Sequence, residues 1–324
     1  MPGNKTIFEP LWVDAPDALE ILEKKCSDGL IGEALRERLS HLIEFGWVVI
    51  PSAISIELAD ELSAEIDHVV DAPEFFVART ENQPFVHPTK AVYSDPAFRL
   101  LGYHVNSRLA QQAIFAPEVV EVLHAGFEEG VNAFQSLVFR YGSQQEKHQD
   151  GAYVVVSKPL QFMASWIALE DVTPGSGELA YYSGSHKLDD FLFPGSSKAW
   201  HPEAHGKQVH REFLDSLVSR CKAANLPLET FLPKKGDALI WASDLVHGGS
   251  RITNQNTRRS FVTHYCPVSV KPNFANFTKC YCEQRVGDNC YISSRHYDLR
   301  PDGLPTRLLN RLFQRQRCKR PIVT

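Results

Sequence analysis

The sequence predicts a mainly β protein, an antiparallel barrel or sandwich that follows a helical segment. Apolar residues recur at helical spacing in the first third of the chain, and from about residue 136 they alternate with a period of two. Turn-rich pieces such as TPGSG at 173–177 and SGS at 183–185 separate the candidate strands. Short strands joined in this way, without long helices between them, are typical of antiparallel barrels and sandwiches.

In the helical segment, apolar residues between 34 and 43 share one face, and the pattern ends at Gly46. WVVI at 47–50 predicts a short buried strand. Ser55 is expected to cap a second helix, and Pro117 suits the first turn of a third.

The period-two region contains six candidate strands, at 137–140, 153–156, 163–169, 178–182, 237–241 and 260–265. Residues 186–232 interrupt the alternation with His, Pro and Gly, and they include a predicted helix near 208–224. An insertion of this length between strands is usually a lid or surface decoration.

Composition narrows the classes of protein to which the chain can belong. Its 324 residues are 43% hydrophobic and 23% charged, an ordinary globular composition. The net charge of −5 provides no basic field for nucleic acid. No secretory signal or membrane-spanning apolar stretch is evident, and the odd count of seven cysteines favours a reducing compartment. We therefore expect a cytoplasmic protein, a monomer or homodimer, without nucleic-acid or membrane partners.

The most specific local feature is His148 and Asp150, followed far along the chain by His247. In a strand, positions i and i+2 share a face, so His148 and Asp150 can point at one centre. Two histidines and one carboxylate hold one face of Fe(II) and leave three positions for other ligands. A His-x-Asp triplet also arises often by chance in exposed loops, so the interpretation depends on its context.

The context includes Arg258, which precedes the apolar residues 261–265. An inward-pointing guanidinium at this position can bind a carboxylate through two parallel hydrogen bonds. The sequence therefore indicates an acidic cosubstrate beside the metal.

At this point the chain resembles the phytanoyl-CoA dioxygenase (PhyH) family of Fe(II)/2-oxoglutarate-dependent oxygenases. The resemblance runs from about residue 40 to residue 266 and depends on the order and spacing of several short pieces. These are EFGWVVIP at 44–51, KHQD at 147–150, WIALED at 166–171, GSGEL at 175–179, SGSHK at 183–187 and LVHGGS at 245–250, with RRS at 258–260.

The resemblance implies a double-stranded β-helix (a jelly-roll, cupin-like core) with N-terminal helices packed on one sheet. All of residues 1–324 would form one dioxygenase domain. Its parts are helical support at 15–130, a jelly-roll core at 131–270 with a lid insertion at 186–232, and a C-terminal extension at 271–324.

The resemblance also implies roles for single residues. His148, Asp150 and His247 would bind the iron, and Arg258 would pair with the far carboxylate of 2-oxoglutarate. Gln135 stands where related hydroxylases use a glutamine against the cosubstrate.

Two further positions bear on the cosubstrate pocket. Trp166 falls where the family has a tryptophan lining that pocket. The chain departs from the family at Gly249, where a hydroxyl residue is frequent, which leaves Ser250 or Thr263 as a substitute.

The carboxylate of Asp150 favours hydroxylation over halogenation, because halogenating members of the family carry a small residue at that position. The cofactors implied are Fe(II), 2-oxoglutarate as cosubstrate and O2, with release of succinate and CO2. Desaturation, cyclisation and epimerisation stay open as related oxidations. Two alternatives from other classes are a catalytically silent ligand-binding jelly roll and a zinc hydrolase that uses the same triad.

Four other features are interpreted as structural. Gln149 and Arg259 are expected to point away from the site, because they alternate with the proposed functional residues. Cys266, Cys280, Cys282 and Cys290 fit no usual zinc spacing and are expected to be reduced thiols. The basic tail at 295–320 predicts a helix that docks on the body of the protein or on a second subunit.

Overall fold

Two β-sheets pack against each other, and a layer of helices covers the outer face of the larger one. The computed structural model describes residues 7–83, 85–273 and 283–292. The α-helices of this part are α1 (Ala18–Ser27), α2 (Glu33–Phe45), α3 (Ile56–Asp67), α4 (Lys90–Tyr93), α5 (Arg108–Ile114), α6 (Pro117–Phe127) and α7 (Pro202–Ala223). The strands are β1 (Trp47–Ile50), β2 (Val77–Arg79), β3 (Arg99–Leu101), β4 (Val131–Phe139), β5 (Met163–Ala168), β6 (Leu179–Tyr182), β7 (Leu228–Phe231), β8 (Ala238–Ala242), β9 (His247–Gly249), β10 (Ser260–Pro267), β11 (Glu283–Val286) and β12 (Asn289–Ile292).

The large sheet runs in the order β1-β8-β5-β10-β4-β12-β11, with β3 also paired to β4 and β2 to β3. The small sheet runs β7-β6-β9. Apolar side chains of both sheets, including Trp166, Trp241 and Val262 from the large one and Tyr181 and Phe231 from the small one, form a common interior. This is a double-stranded β-helix, and the prediction of a mainly β fold with flanking helices is confirmed.

The helical layer buries the opposite face of the large sheet. Leu39, Leu42 and Ile43 of α2 lie in one apolar cluster with Ile240 of β8 and Phe261 of β10. The predicted helix signals are present in the structure: the Ser55 hydroxyl accepts a hydrogen bond from the Leu58 amide, and α6 begins at Pro117. Burial on both faces explains why β5 and β8 carry few polar residues.

One predicted strand, at 153–156, is wrong. Residues Asp150–Ala152 form a 3-10 turn, and the amides of Tyr153 and Val154 both donate to the Asp150 carbonyl at 2.8 Å. Only Val156 makes a strand-like contact, a single bridge to Pro272. The alternating Tyr-Val-Val-Val pattern reflects packing of this loop against the barrel, because Val154 and Val156 are buried beside Phe134 and Phe162.

Two other boundaries differ from the prediction. Strand β4 begins at Val131, six residues before the predicted start, because buried polar residues such as Asn132 and Ser136 hide its alternation. The predicted insertion at 186–232 ends in β7, which pairs with β6 and belongs to the small sheet. Helix α7 begins at Pro202, but Gly206 interrupts it with a φ of 72°.

The cysteines that the structure describes are free thiols. Cys266 and Cys290 lie on either side of Asn132 in neighbouring strands, so one strand separates them, and both are buried. Cys280, Cys282 and the basic tail at 295–320 lie outside the described residues. Among the described residues, no helix has the length and apolar composition needed to cross a bilayer.

The junction of α2 and β1 requires a glycine at position 46. Gly46 ends α2 with a φ of 81°, and a Cβ added there would lie 2.4 Å from Nδ1 of His186. We expect Gly46→Ala to lower the free energy of unfolding by more than the roughly 1–2 kcal/mol that a left-handed alanine costs. Urea denaturation measures the change.

The matched control is Gly29→Ala, because Gly29 has a φ of 74° with no atom within 4 Å of the added Cβ. The difference between the two variants isolates the contact with His186. Equal losses of stability would show that this contact does not constrain the junction.

Candidate metal centre

Three buried side chains converge at one end of the space between the sheets. His148, Asp150 and His247 each place one potential ligand atom within 4.8 Å of the other two. Nε2 of His148 lies 3.7 Å from Oδ1 of Asp150, and Nε2 of His247 lies 3.7 Å from Oδ2. Within the described ranges, no other three His, Cys, Asp or Glu side chains meet in this way.

The backbone brings the two histidines together directly. The His148 amide donates to the His247 carbonyl at 2.8 Å, and the His247 amide donates to the His148 carbonyl at 2.9 Å. Their ring centroids are 4.4 Å apart. The expectation that His148 and Asp150 share a regular strand is wrong, because His148 makes only this single bridge and Asp150 starts a 3-10 turn. The turn brings the carboxylate to the same point.

Hydrogen bonds determine which nitrogen of each imidazole faces the centre. Nδ1 of His148 donates to the Glu146 carbonyl at 2.8 Å, and Nδ1 of His247 donates to the Leu245 carbonyl at 2.9 Å. Each Nε2 therefore carries a lone pair that is available to a metal ion.

The protonation states of two of these residues suit a cation. Burial lowers the pKa of His247 to about 4, so its imidazole is neutral at physiological pH. Burial opposes ionisation of Asp150, but the neighbouring imidazoles of His247, His148 and His264 outweigh it. Together they hold the pKa of this carboxyl well below its usual range. A neutral imidazole and a carboxylate are the forms that bind a divalent metal.

Two donors on the large sheet hold the Asp150 carboxylate. Nε1 of Trp241 donates to Oδ2 at 3.0 Å, and Nε2 of His264 lies 3.3 Å from the same oxygen. His264 is buried among apolar rings, including that of Phe134. Partners of this kind fix the orientation of a ligand and tune its affinity for metal. The sequence analysis missed both donors, although His264 stands an even number of residues after Arg258 and so shares its face in an alternating pattern.

The loop between β8 and β9 supports the metal-binding turn from behind. Nε2 of Gln149 donates to the Asp244 carbonyl at 2.7 Å, which agrees with its predicted structural role. The ammonium of Lys198 lies 2.6 Å from both Asp190 and Asp244, and its side chain is 4% exposed. This buried ion pair fixes the loop that leads to His247.

Arg258 is buried inside the barrel and has no carboxylate partner among the described residues. Its guanidinium carbon lies 5.3 Å from the Trp166 ring centroid and 5.6 Å from that of Phe139, and its Nε has no hydrogen-bond partner. Burial, and then the nearby Arg99, lower the pKa of Arg258 to about 10, which leaves it charged at neutral pH. A buried, unpaired cation is costly, so this position suits an anionic ligand.

Other polar atoms of the large sheet also lack partners. Oε1 of Gln135, Nε1 of Trp166 and Oγ of Ser260 are buried without hydrogen bonds. Gln135 lies opposite His264 in the pairing of β4 with β10. Ser260 was missed by the sequence analysis, although it stands two residues after Arg258.

Thr263 and Ser250, the two hydroxyl residues that the sequence offers as substitutes at Gly249, lie in different parts of the structure. Thr263 shares the helix-facing side of β10 with Phe261 and Tyr265, both of which pack in the helical cluster. Ser250 follows β9, and its amide donates to the Glu178 carbonyl. Ser260, on the side of Val262 and His264, is the hydroxyl residue of β10 on the inner face.

Comparison with known proteins gives one family match. The profile of the family described as phytanoyl-CoA dioxygenase (PhyH) matches residues 43–260. This range contains the three convergent side chains and Arg258. No curated protein matches the chain in sequence.

Several solved structures share the fold at low sequence identity. The epimerase SnoN from nogalamycin biosynthesis, in complex with Fe3+, alpha ketoglutarate and nogalamycin RO, has a TM-score of 0.58 at 16% identity; the match covers 81% of this chain and 99% of SnoN. The carbocyclase SnoK from nogalamycin biosynthesis has a TM-score of 0.53 at 14% identity, with 73% and 84% coverage. EctD from S. alaskensis with 2-oxoglutarate and 5-hydroxyectoine has a TM-score of 0.51 at 17% identity, with 74% and 77% coverage.

The carboxylate contacts predict the effect of Trp241→Phe. This change removes the indole donor to Asp150 and keeps an aromatic ring, so we expect metal affinity to fall roughly 10- to 100-fold. Calorimetric titration with a divalent ion measures it. Trp12→Phe, which removes an indole hydrogen bond to the Ala125 carbonyl of α6 in the helical layer, is the control. Undiminished affinity in the Trp241 variant would contradict the assigned role.

Proposed function

Because the chain belongs to the phytanoyl-CoA dioxygenase (PhyH) family, we propose that it is a non-haem Fe(II)/2-oxoglutarate-dependent dioxygenase that hydroxylates a small-molecule metabolite or biosynthetic intermediate. The observation that carries the proposal is the pairing of two sites in one barrel. One is the set of two imidazoles and a carboxylate, and the other is the buried Arg258, which has no carboxylate partner in the part of the chain that the structure describes.

The donor set fits iron. Two neutral nitrogen ligands and one carboxylate suit Fe(II), and three protein ligands leave three positions open. No thiol belongs to the cluster, which disfavours a structural zinc site. Iron bound here would supply the oxygen-dependent decarboxylation of 2-oxoglutarate to succinate and CO2 that is coupled to substrate oxidation.

The chain's own residues would bind and orient the cosubstrate. Arg258 would pair with the far carboxylate of 2-oxoglutarate, with the hydroxyl of Ser260 beside it. The unpartnered indole Nε1 of Trp166 can donate to the same molecule, and Gln135 would donate to it through its side-chain amide nitrogen. Apolar neighbours such as Val262 keep water away from this ion pair, which strengthens it.

The type of oxidation is the finer part of the proposal. Asp150 completes a three-residue ligand set, which supports hydroxylation rather than halogenation. Structures that share the fold are described as an epimerase, a carbocyclase and a protein with bound 5-hydroxyectoine. The fold therefore accommodates several outcomes. We also propose a cytoplasmic location.

The proposal predicts a spectroscopic response to iron. Anaerobic titration of the protein with Fe(II) and 2-oxoglutarate should produce a visible metal-to-ligand charge-transfer band, and admission of oxygen should release succinate. Asp150→Ala should abolish both, because it removes the anionic ligand. Asp215→Ala, which loses only an exposed ion pair with Arg211, is the control.

Other results of these experiments would favour one of the alternative functions or contradict the ligand assignment. Absence of both the band and succinate in the wild-type protein would favour a silent ligand-binding jelly roll. Turnover that survives in Asp150→Ala would show that the ligand assignment is wrong. Hydrolysis without oxygen or 2-oxoglutarate would indicate the zinc enzyme.

Arg258 predicts a separate effect on the cosubstrate. Arg258→Ala should weaken 2-oxoglutarate binding roughly ten- to a hundredfold, because a charge-assisted hydrogen bond is lost. Iron should still bind. Arg259→Ala is the matched control, since Arg259 pairs with Asp67 at 2.9 Å outside the barrel. If both variants bind 2-oxoglutarate equally well, Arg258 does not anchor it.

A further inference from the structure

The side chain of Gln145 reaches the metal-facing nitrogen of a ligand. Its Nε2 lies 3.1 Å from Nε2 of His148. The sequence analysis assigned no role to this glutamine, which stands three residues before His148.

The direction of this hydrogen bond follows from the tautomer of His148. Because Nδ1 of His148 donates to the Glu146 carbonyl at 2.8 Å, its Nε2 carries a lone pair and no proton. The Gln145 amide group must therefore donate. The reversed amide would place Oε1 against that lone pair, and two acceptors repel each other.

The backbone of Gln145 is fixed. Its carbonyl accepts a hydrogen bond from the Gly249 amide at 3.0 Å, and its amide donates to the Ser143 hydroxyl at 3.3 Å. A Cβ at Gly248 would come within 2.5 Å of the Gln145 carbonyl oxygen, so the two segments are packed at backbone distance. The side-chain amide can leave His148 only by rotation about its own bonds.

The two imidazoles consequently differ. Nε2 of His247 faces Asp150 at 3.7 Å, and no side-chain amide hydrogen-bonds to it among the described residues. His148 alone has its ligand lone pair engaged by a neutral donor. Rotation of His148 is already restricted by its Nδ1 hydrogen bond and by the rings of His247 and Tyr153.

We propose that Gln145 is a positioning residue that competes with the metal for His148. The inference rests on the proposed function. The lone pair that binds a metal is the one that accepts from Gln145, so each ion must displace this hydrogen bond before His148 can ligate. Gln145 thereby satisfies a buried acceptor in the metal-free protein and lowers the affinity of the site.

The test is anaerobic titration of the full-length protein with Co(II), without 2-oxoglutarate, followed by its visible absorption. Gln145→Leu keeps a similar volume and removes the donor. Its dissociation constant for Co(II) should fall about two- to tenfold, the factor expected from the loss of one neutral hydrogen bond that opposes binding. Gln145→Asn, whose amide is one methylene shorter, should also bind more tightly because it cannot span the distance.

Gln144→Ala is the matched control, because the neighbouring glutamine uses its side chain to accept from the exposed Ile252 amide. Its affinity for Co(II) should equal that of the wild type. Unchanged or weaker binding in both Gln145 variants would overturn the inference while leaving the proposed function intact. A wild-type protein that binds neither Co(II) nor Fe(II) would overturn the proposed function, and the inference with it.

Discussion

The candidate centre depends on one backbone interaction, the reciprocal pairing of His148 with His247. Two hydrogen bonds of 2.8 and 2.9 Å join residues that are far apart in sequence and bring their rings to 4.4 Å. The pairing joins the metal-binding turn to the small sheet through β9. Glycines make it possible, because a Cβ at Gly248 or Gly249 would come within 3 Å of the backbone that leads to His148. The backbone pairing therefore determines the relative positions of the two histidine ligands.

The two buried charges of the site, on Asp150 and on Arg258, differ in their hydrogen-bond partners. The negative charge of Asp150 is met by the indole of Trp241 and by His264, so the carboxylate is held even without a metal. The guanidinium of Arg258 lies against the rings of Phe139 and Trp166, and no carboxylate among the described residues forms an ion pair with it. A barrel that leaves a guanidinium unpaired in its interior gains stability from binding a small anion. This contrast connects the fold to a reaction that needs both a cation and a dicarboxylic acid.

Sequence reasoning identified the three convergent residues and Arg258, because their spacing matches a family and their chemistry is specific. It also located α2 from apolar periodicity that ends at Gly46, β1 from the apolar run at 47–50, and α6 from Pro117 in its first turn. It failed at 153–156, where an alternating pattern marks a buried loop, and at β4, where polar residues interrupt the alternation. Trp241, His264, Ser260 and Lys198 were missed because their roles depend on three-dimensional neighbours. No local pattern distinguishes a tryptophan that donates to a carboxylate from one that only packs.

The most direct test of the account is a crystal structure of the protein grown or soaked anaerobically with Fe(II), with diffraction recorded on both sides of the iron absorption edge. The account predicts one anomalous peak within bonding distance of Nε2 of His148, Nε2 of His247 and one carboxylate oxygen of Asp150. A peak bound by other side chains, or one that leaves any of these three residues out of coordination range, would contradict it.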